Sequence, residues 1–488
     1  MTEPTLVQTV ARFAADTRAR GISPELRWDV KRRVLDLLGI AVLASTLEPA
    51  RIVGAVVEAW GGTPRAHLIG REAVYPAASA ALVNGTLAHA LDFDDTHLPS
   101  VVHPSASVIP AALAVAEATA ASGPATLDAI AVGDELTVRV GMAGYDRALG
   151  NSVFFDKGLH ATSIAGTLGA AAAAAMLYGL DEAGIGHAIA IATSMGAGII
   201  EANRVGGSVK RVHCGWAAHA GIAAAELARH GLTGPSTVFE GRFGFLQAYL
   251  GSAADPGALT RGLGEEWELP RIVFKPYPAN HFTHAGIDAA RALREAGLDL
   301  AAIDELELGV PTPVLRTIAE PPAEKARPAT GYAAQFSGPF TVATALVGGG
   351  GLGVALEDFG DDAVRDPLKL DLAARVRCVA DEECDRLFPH QFPAVLRARL
   401  RDGTVREARV RYTRGGPENP LSDEELAVKF TANAERVLPP GQVRALRTAV
   451  EALDHAAGVD AVMRLTSPRQ RIDYAPRSGS RGSLYTRR

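Results

Sequence analysis

The chain has 488 residues, 48% of them hydrophobic and 21% charged, enough for a large core and for two domains rather than one. A formal charge of −6 and a pI near 6.1 argue against nucleic acid as the main partner, because phosphate binding requires a basic face. Cys214, Cys378 and Cys384 show no CxxC pairing, which fits a reducing compartment and argues against zinc-ribbon and ferredoxin-type sites.

The N-terminus carries Glu3, Asp16 and scattered arginines without a short apolar core, so no signal peptide and a cytoplasmic location are expected. Over residues 27–45, Val30, Val34, Leu37, Leu38 and Val42 recur at three- and four-residue steps, predicting an amphipathic helix. Residues 81–110, ALVNGTLAHALDFDDTHLPSVVHPSASVIP, form an apolar helix-like run that ends in Asp92, Asp94, Asp95, Thr96, His97 and His103. Acids that follow directly on Leu82, Val83, Leu87 and Leu91 predict at least one carboxylate facing the interior. Buried carboxylates beside histidines build proton-transfer sites. A helix continuing through Asp95 would set Asp92 and Thr96 on one face. His103 precedes Pro104, a good first helical residue, so the positive helix end favours a neutral ring while an adjoining Asp opposes it.

Residues 161–180 are uncharged, but Ala and Gly dominate, which predicts close helix packing in a water-facing fold rather than a membrane span. His160 opens that helix. Lys210 and His213 stand one turn apart at the start of an Ala-rich helix, with Gly206 and Gly207 leaving room for a ligand; His219 and His230 read as structural. Taken bare, His160 reads as a satisfied structural group and Lys210 as a solvated cation. A short strand ends at Lys275, followed by two prolines and a helix capped by Asn280, with His281 and His284 in its first turn. The run VGGGGLG at 347–353 lacks the strand-then-helix context of a dinucleotide fingerprint and reads as a turn; there is no GxSxG, HExxH or P-loop motif.

After Leu269 the pattern changes. Leu306, Leu308 and Val310 alternate with Glu305 and Glu307, and AVLRARLRDGTVREARVRY folds back at Asp402-Gly403, a strong hairpin signal. Ser422 with Glu425 forms a capping box that opens further helices. The expected organisation is an all-helical domain over residues 1–268, an α+β lid over 269–415, helices returning to the first domain over 416–467, and a disordered Arg-rich tail over 468–488.

Several of these blocks, in order, resemble the MmgE/PrpD family: KRRVLDLLGIAVLAS, NGTLAHALDFDDTH with HPSASVIPAALAVAE, GLHATSIAGTLGAA, VKRVHCGWAAHAG, FKPYP, and AAQFSGPF with ENPLSDEELAVKF. The resemblance implies a mainly α fold with an α+β insert, a cleft between the two parts, and a homodimer. It implies site residues at Asp92, Thr96, His103, His160, Lys210 and Lys275, with His213, Asn280 and His281 as further substrate-binding candidates. The chemistry it implies is proton removal or delivery on carbon next to a carboxylate, without metal or organic cofactor. That makes the chain a lyase of a small di- or tricarboxylate, in the manner of 2-methylcitrate dehydratase, or else an epimerase or decarboxylase of a related acid. Two positions depart from the decarboxylase branch, which carries a histidine where this chain has Asn280 and a tyrosine where it has Phe340. Two readings of other classes stand beside it: a metal-dependent hydrolase using Asp92, Asp95, His97 and His103 as ligands, and a silent carboxylate-binding protein.

Overall fold

The computed structural model describes residues 3–146, 151–202 and 206–468, so the Arg-rich segment from 469 onward lies outside the described residues. The first half is helical. Helices α1 (Leu6–Arg20), α2 (Pro24–Ala44), α3 (Glu48–Trp60), α4 (Ala77–His89), α5 (Ser105–Thr119), α6 (Gly123–Met142), α7 (Ala161–Leu177), α8 (Glu182–Thr193) and α9 (His213–Arg229) surround one large apolar core. Residues Ala161 to Met176 of α7 are all buried, and their small side chains let α6 and α9 pack against it closely. This satisfies the composition of that segment without a bilayer: among the described residues no single helix is long and apolar enough to cross a membrane.

The apolar run through residue 91 is not helical to Asp95, as its pattern suggested. Helix α4 stops at His89, and Asp92 takes a left-handed backbone (φ 52°) that turns the chain back. An Asp tolerates that conformation better than most side chains. Thr96–His97 (β1) then pairs antiparallel with Ile272–Val273 (β2), so Asp92 and Thr96 leave the helix face altogether.

A second core lies beyond residue 276. A sheet in the order β6-β5-β3-β4 is built from Ile303–Val310 (β3), Val376–Ala380 (β4), Ala394–Leu400 (β5) and Val405–Val410 (β6). Strands β3 and β4 run parallel, while the β5–β6 hairpin turns through Asp402 and Gly403, whose φ of 85° suits glycine. Helices α10 (His284–Glu295) and α11 (Gly338–Val347) cover the sheet. The capping box at Ser422 and Glu425 then opens α12 (Asp423–Ala434), which with α13 (Pro440–Glu451) packs on α2; Phe430 and Leu446 join the first core.

Where α9 meets α4 there is no room for a side chain: a Cβ on Gly215 would stand 2.1 Å from the Leu82 carbonyl oxygen. That approach fixes the start of α9, next to the end of α4. Gly215→Ala is therefore expected to lose about 1–3 kcal/mol of stability, read as a lowered melting temperature; an unchanged melting curve would show the contact to be slack.

Candidate active site

The left-handed turn aims the Asp92 carboxylate into the seam between the cores, where it meets two lysines. Lys275, 1% exposed, donates from Nζ to the Asp92 carbonyl oxygen at 2.9 Å and to its Oδ1 at 3.1 Å. Lys210 Nζ, from the short 3-10 turn Val209–Val212 before α9, lies 3.7 Å from the same Oδ1. Burial works against the Asp92 charge, but Lys210, Lys275 and the nearby imidazoles outweigh it and hold the carboxyl well below the ordinary carboxylate range. Burial likewise opposes the charge on Lys210, and Asp92 overcomes it and raises the ammonium pKa.

His103 stands at the entry to α5. Its Nδ1 is 2.7 Å from the Asp95 carbonyl oxygen, which only accepts, so that nitrogen carries the proton; Thr96 Oγ1 lies 3.1 Å from it. The lone pair is thus on Nε2, 4.0 Å from Asp92 Oδ1. Burial and the neighbouring Lys275 push the ring down to about 3, which leaves it a neutral acceptor. His160, the N-cap residue of α7, faces His213, with their Nδ1 atoms 2.9 Å apart. Only one proton fits on that line. Burial, Lys210 and His89 push His160 well below its usual value, and burial with His89 takes His213 to about 4.

His89 went unread in the sequence, where it looks like one more residue of an apolar helix. Its Nδ1 lies 2.8 Å from Asp94 Oδ2, both side chains are buried, and its ring centroid is 5.2 Å from that of His103 and 5.7 Å from that of His160. Its position three residues before Asp92, at the end of the apolar run, was the available signal.

The other candidates fall into supporting places. Asp95 faces away from the cleft: its Oδ2 accepts from Ser105 Oγ at 2.5 Å and from the buried Arg33 at 3.2 Å. His97 bonds Ser100 through Nδ1 and faces Glu268 with Nε2 at 3.4 Å. The metal-ligand set Asp92, Asp95, His97 and His103 therefore does not converge. His89, Asp92 and Asp94 do approach one another closely enough to hold an ion. Within that set the charges are already paired: Lys210 and Lys275 lie on the Asp92 carboxylate, and the His89 Nδ1 lies on Asp94 Oδ2.

Asn280 spends its side-chain oxygen capping Phe282 N–H, and its own N–H donates to the Gln335 carbonyl. His281 is buried against His284 and Phe392, and neither ring nitrogen has a hydrogen-bond partner among the described residues. Phe340 is buried in the second core near Phe359. A phenol does reach the site from that side, eight residues earlier: Tyr332 stacks under the Arg211 guanidinium at 5.4 Å and lies within electrostatic reach of Lys210 and Asp92. A surface groove of about 680 Å³ beside Thr63, Tyr178 and Arg229 contains none of these groups.

Neutral buried imidazoles give the stability a pH dependence of known sign. Unfolded, His103, His213 and His284 protonate near 6.5; folded, they resist protonation down to about 3, about 4 and about 3, chiefly because they are buried. The unfolded chain binds more protons in that window, so stability falls with pH below about 6.5. Asp36, raised to about 6 by burial, and Asp134, raised well above the carboxylate range, oppose this, and His89, raised to about 10, opposes it above about 6.5, but the lowered imidazoles outnumber them. The melting temperature should fall between pH 7 and pH 5 in calorimetry; a flat or rising trend would contradict the buried neutral cluster.

Residues 8–256 match the MmgE/PrpD N-terminal domain and residues 277–455 the MmgE/PrpD C-terminal domain. The cis-aconitate decarboxylase of Homo sapiens is 30% identical over 443 residues, covering 87% of this chain and 86% of that protein. That of Mus musculus is 30% identical over 467 residues, covering 93% and 92%. The cis-aconitate decarboxylase-like protein oryM of Aspergillus oryzae is 26% identical over 484 residues, covering 95% and 98%. With both domain patterns matched in order and such identity along most of its length, this chain belongs to the MmgE/PrpD family.

Proposed function

We propose that the chain is a cofactor-independent lyase of a small polycarboxylate, and that its reaction is a dehydration of the 2-methylcitrate dehydratase type. The observation that carries the reading is the free Nε2 of neutral His103, 4.0 Å from a carboxylate that Lys210 and Lys275 both grip. Each lysine has N–H donors beyond those turned to Asp92, and these suit a substrate carboxylate on which charge builds as the neighbouring carbon loses its proton. In this reading His103 Nε2 takes that proton. The C–H electron pair becomes the double bond, and the β-hydroxyl leaves as water with a proton from the His160–His213 pair. Arrival of a di- or trianion raises the pKa of that pair and lets it hold the proton it then donates. Thr96 keeps the base oriented.

Decarboxylation is the second reading, favoured by relatives named cis-aconitate decarboxylase at 26–30% identity. There the bond to a carboxylate breaks, CO₂ leaves, and the electron pair stays on carbon until it is protonated. Phe340, buried in the second core, supplies no phenol at the position where the decarboxylase branch has one, and the Asn280 side chain is spent on a cap; the phenol that does reach the site, Tyr332, comes from another position. Dehydration uses His103 as base and the neighbouring His160–His213 pair as acid.

Purified protein incubated in D₂O with a panel of di- and tricarboxylates, read by NMR, separates the outcomes. Loss of a β-hydroxyl with a new double bond supports dehydration, release of CO₂ with one deuterium on the product supports decarboxylation, and deuterium exchange without net conversion supports an epimerase. No exchange with any acid would leave a binding protein. His103→Ala and Lys210→Ala should each reduce turnover by about 10²–10⁴-fold while melting within a few degrees of wild type; near-normal rates would remove those roles.

We read the chain further as a homodimer. On α3, Ile52, Val56 and Trp60 form an exposed row, and His219 lies between Trp60 and the exposed Trp216 at 5.7 and 5.3 Å. Light scattering should give twice the chain mass, and Trp60→Glu with Trp216→Glu should halve it; a wild-type monomer would end this part of the proposal.

A further inference from the structure

His89 has no place in the reaction as described, yet it occupies the floor of the site. It closes α4, is 2% exposed, and meets Asp94, which is 1% exposed. Asp94 Oδ1 has no partner among the described residues, so Oδ2 and the His89 Nδ1–H at 2.8 Å carry the interaction. A buried carboxylate is stable only when its charge is balanced. The His89 Nε2 has the Cys214 thiol of α9 as its neighbour.

We propose that His89 is a positioning residue, an imidazolium clamped by Asp94 beneath His103 and His160 that holds His103 as a neutral proton acceptor. The proposal rests on the reading that His103 takes the substrate proton. Its basis is geometric: the His89 ring lies 5.2 Å from that of His103 and 5.7 Å from that of His160, with His89 and His160 buried and His103 part-buried above them. A second positive charge on either ring would face a fixed one at that distance. With an effective dielectric near 20 the repulsion lowers proton affinity by roughly two pH units. Asp94, 3.9 Å from His103 Nδ1, pulls the other way at least as strongly, so it is the His89 charge that keeps this acid from raising His103.

The other charges around these rings act alongside. His103 also faces Lys275 and Asp92, and His160 faces Lys210 and His213. The directions agree. Asp94 stays ionised, down at about 2, because His89 and His103 outweigh its burial, while His89 rises to about 10. His103, His160 and His213 are each pushed down, with burial first and His89 among the causes.

Two measurements test this. In the full-length wild-type protein carrying ¹⁵N-labelled histidine, the ring nitrogens of His89 should both remain protonated from pH 5.5 to 8.5, while His103 shows a neutral ring protonated on Nδ1. A neutral His89 ring at pH 7 overturns the proposal whatever the enzyme turns over. In His89→Gln, the acid limb of kcat/KM should move up by about two pH units, with most of the rate recovered near pH 8.5; His89→Lys, which keeps a charge, should restore the wild-type limb. A rate lost by the same factor at every pH would make His89 merely structural. Absence of all turnover in the wild type would instead defeat the lyase reading, and the nitrogen spectra would still decide the state of His89.

Discussion

Lys275 crosses from the strand Ile272–Val273 to the left-handed turn at Asp92 and bonds both its carbonyl and its carboxylate, almost without solvent. The site depends on this contact. Removing one partner of such a buried pair commonly costs about 3–5 kcal/mol, because the other charge is left uncompensated. The two-residue pairing of Thr96–His97 with Ile272–Val273 is too short to define a seam by itself. The ion pair supplies the missing specificity and at the same time gives Asp92 the charge state that draws in Lys210.

Beneath it runs a second polar layer. Arg33 is buried and bonds Asp29, Asp95 and the carbonyls of Leu269 and Ile272, tying α2 to both sides of the seam. Lys429 of α12 donates to Asp36 at 2.9 Å and to the Phe93 carbonyl at 3.1 Å. The chain's return to the first core after residue 422 therefore has a consequence for chemistry: it delivers the cation that holds the turn beside Asp92. Ser105 bonds both Asp95 and Asp134. Burial raises Asp134 well above the carboxylate range, so it holds a proton that lets the two acids coexist.

Much of this was legible in the residues. Periodicity marked α2, the Asp-Gly pair marked the β5–β6 hairpin, and Ser422 with Glu425 marked the start of α12, because each is a local signal realised locally. The family blocks selected Asp92, Thr96, His103, His160, Lys210 and Lys275, which the structure gathers around one seam. The helix extrapolated through Asp95 failed because a reversal at Asp92 depends on partners nearly two hundred residues away. The ligand set with Asp95 and His97 failed for the same reason: Arg33, Ser105, Ser100 and Glu268 claim those groups, and nothing near them in sequence says so. His89 was missed because a lone histidine at the end of an apolar run leaves no periodic trace, and its partner Asp94, five residues on, comes within reach only through the turn at Asp92.

The exposures within the site bear on how a ligand enters. Lys275 is 1% exposed and belongs to the floor, whereas the side chains of His103 and Lys210 each keep 14% and Tyr332 keeps 44% of the residue's surface. Open space therefore lies on the side of Lys210 and Tyr332. An anion arriving there meets Lys210 first and competes with Asp92 for it, at a distance of 3.7 Å where the existing bond is weak, before it disturbs Lys275 at 3.1 Å. The asymmetry matches the two tasks in the proposed reaction. Lys275 preserves the geometry of the seam, Lys210 is free to exchange a protein carboxylate for a substrate one, and Tyr332, presented from the second core, is the polar group best placed to sense which acid has arrived.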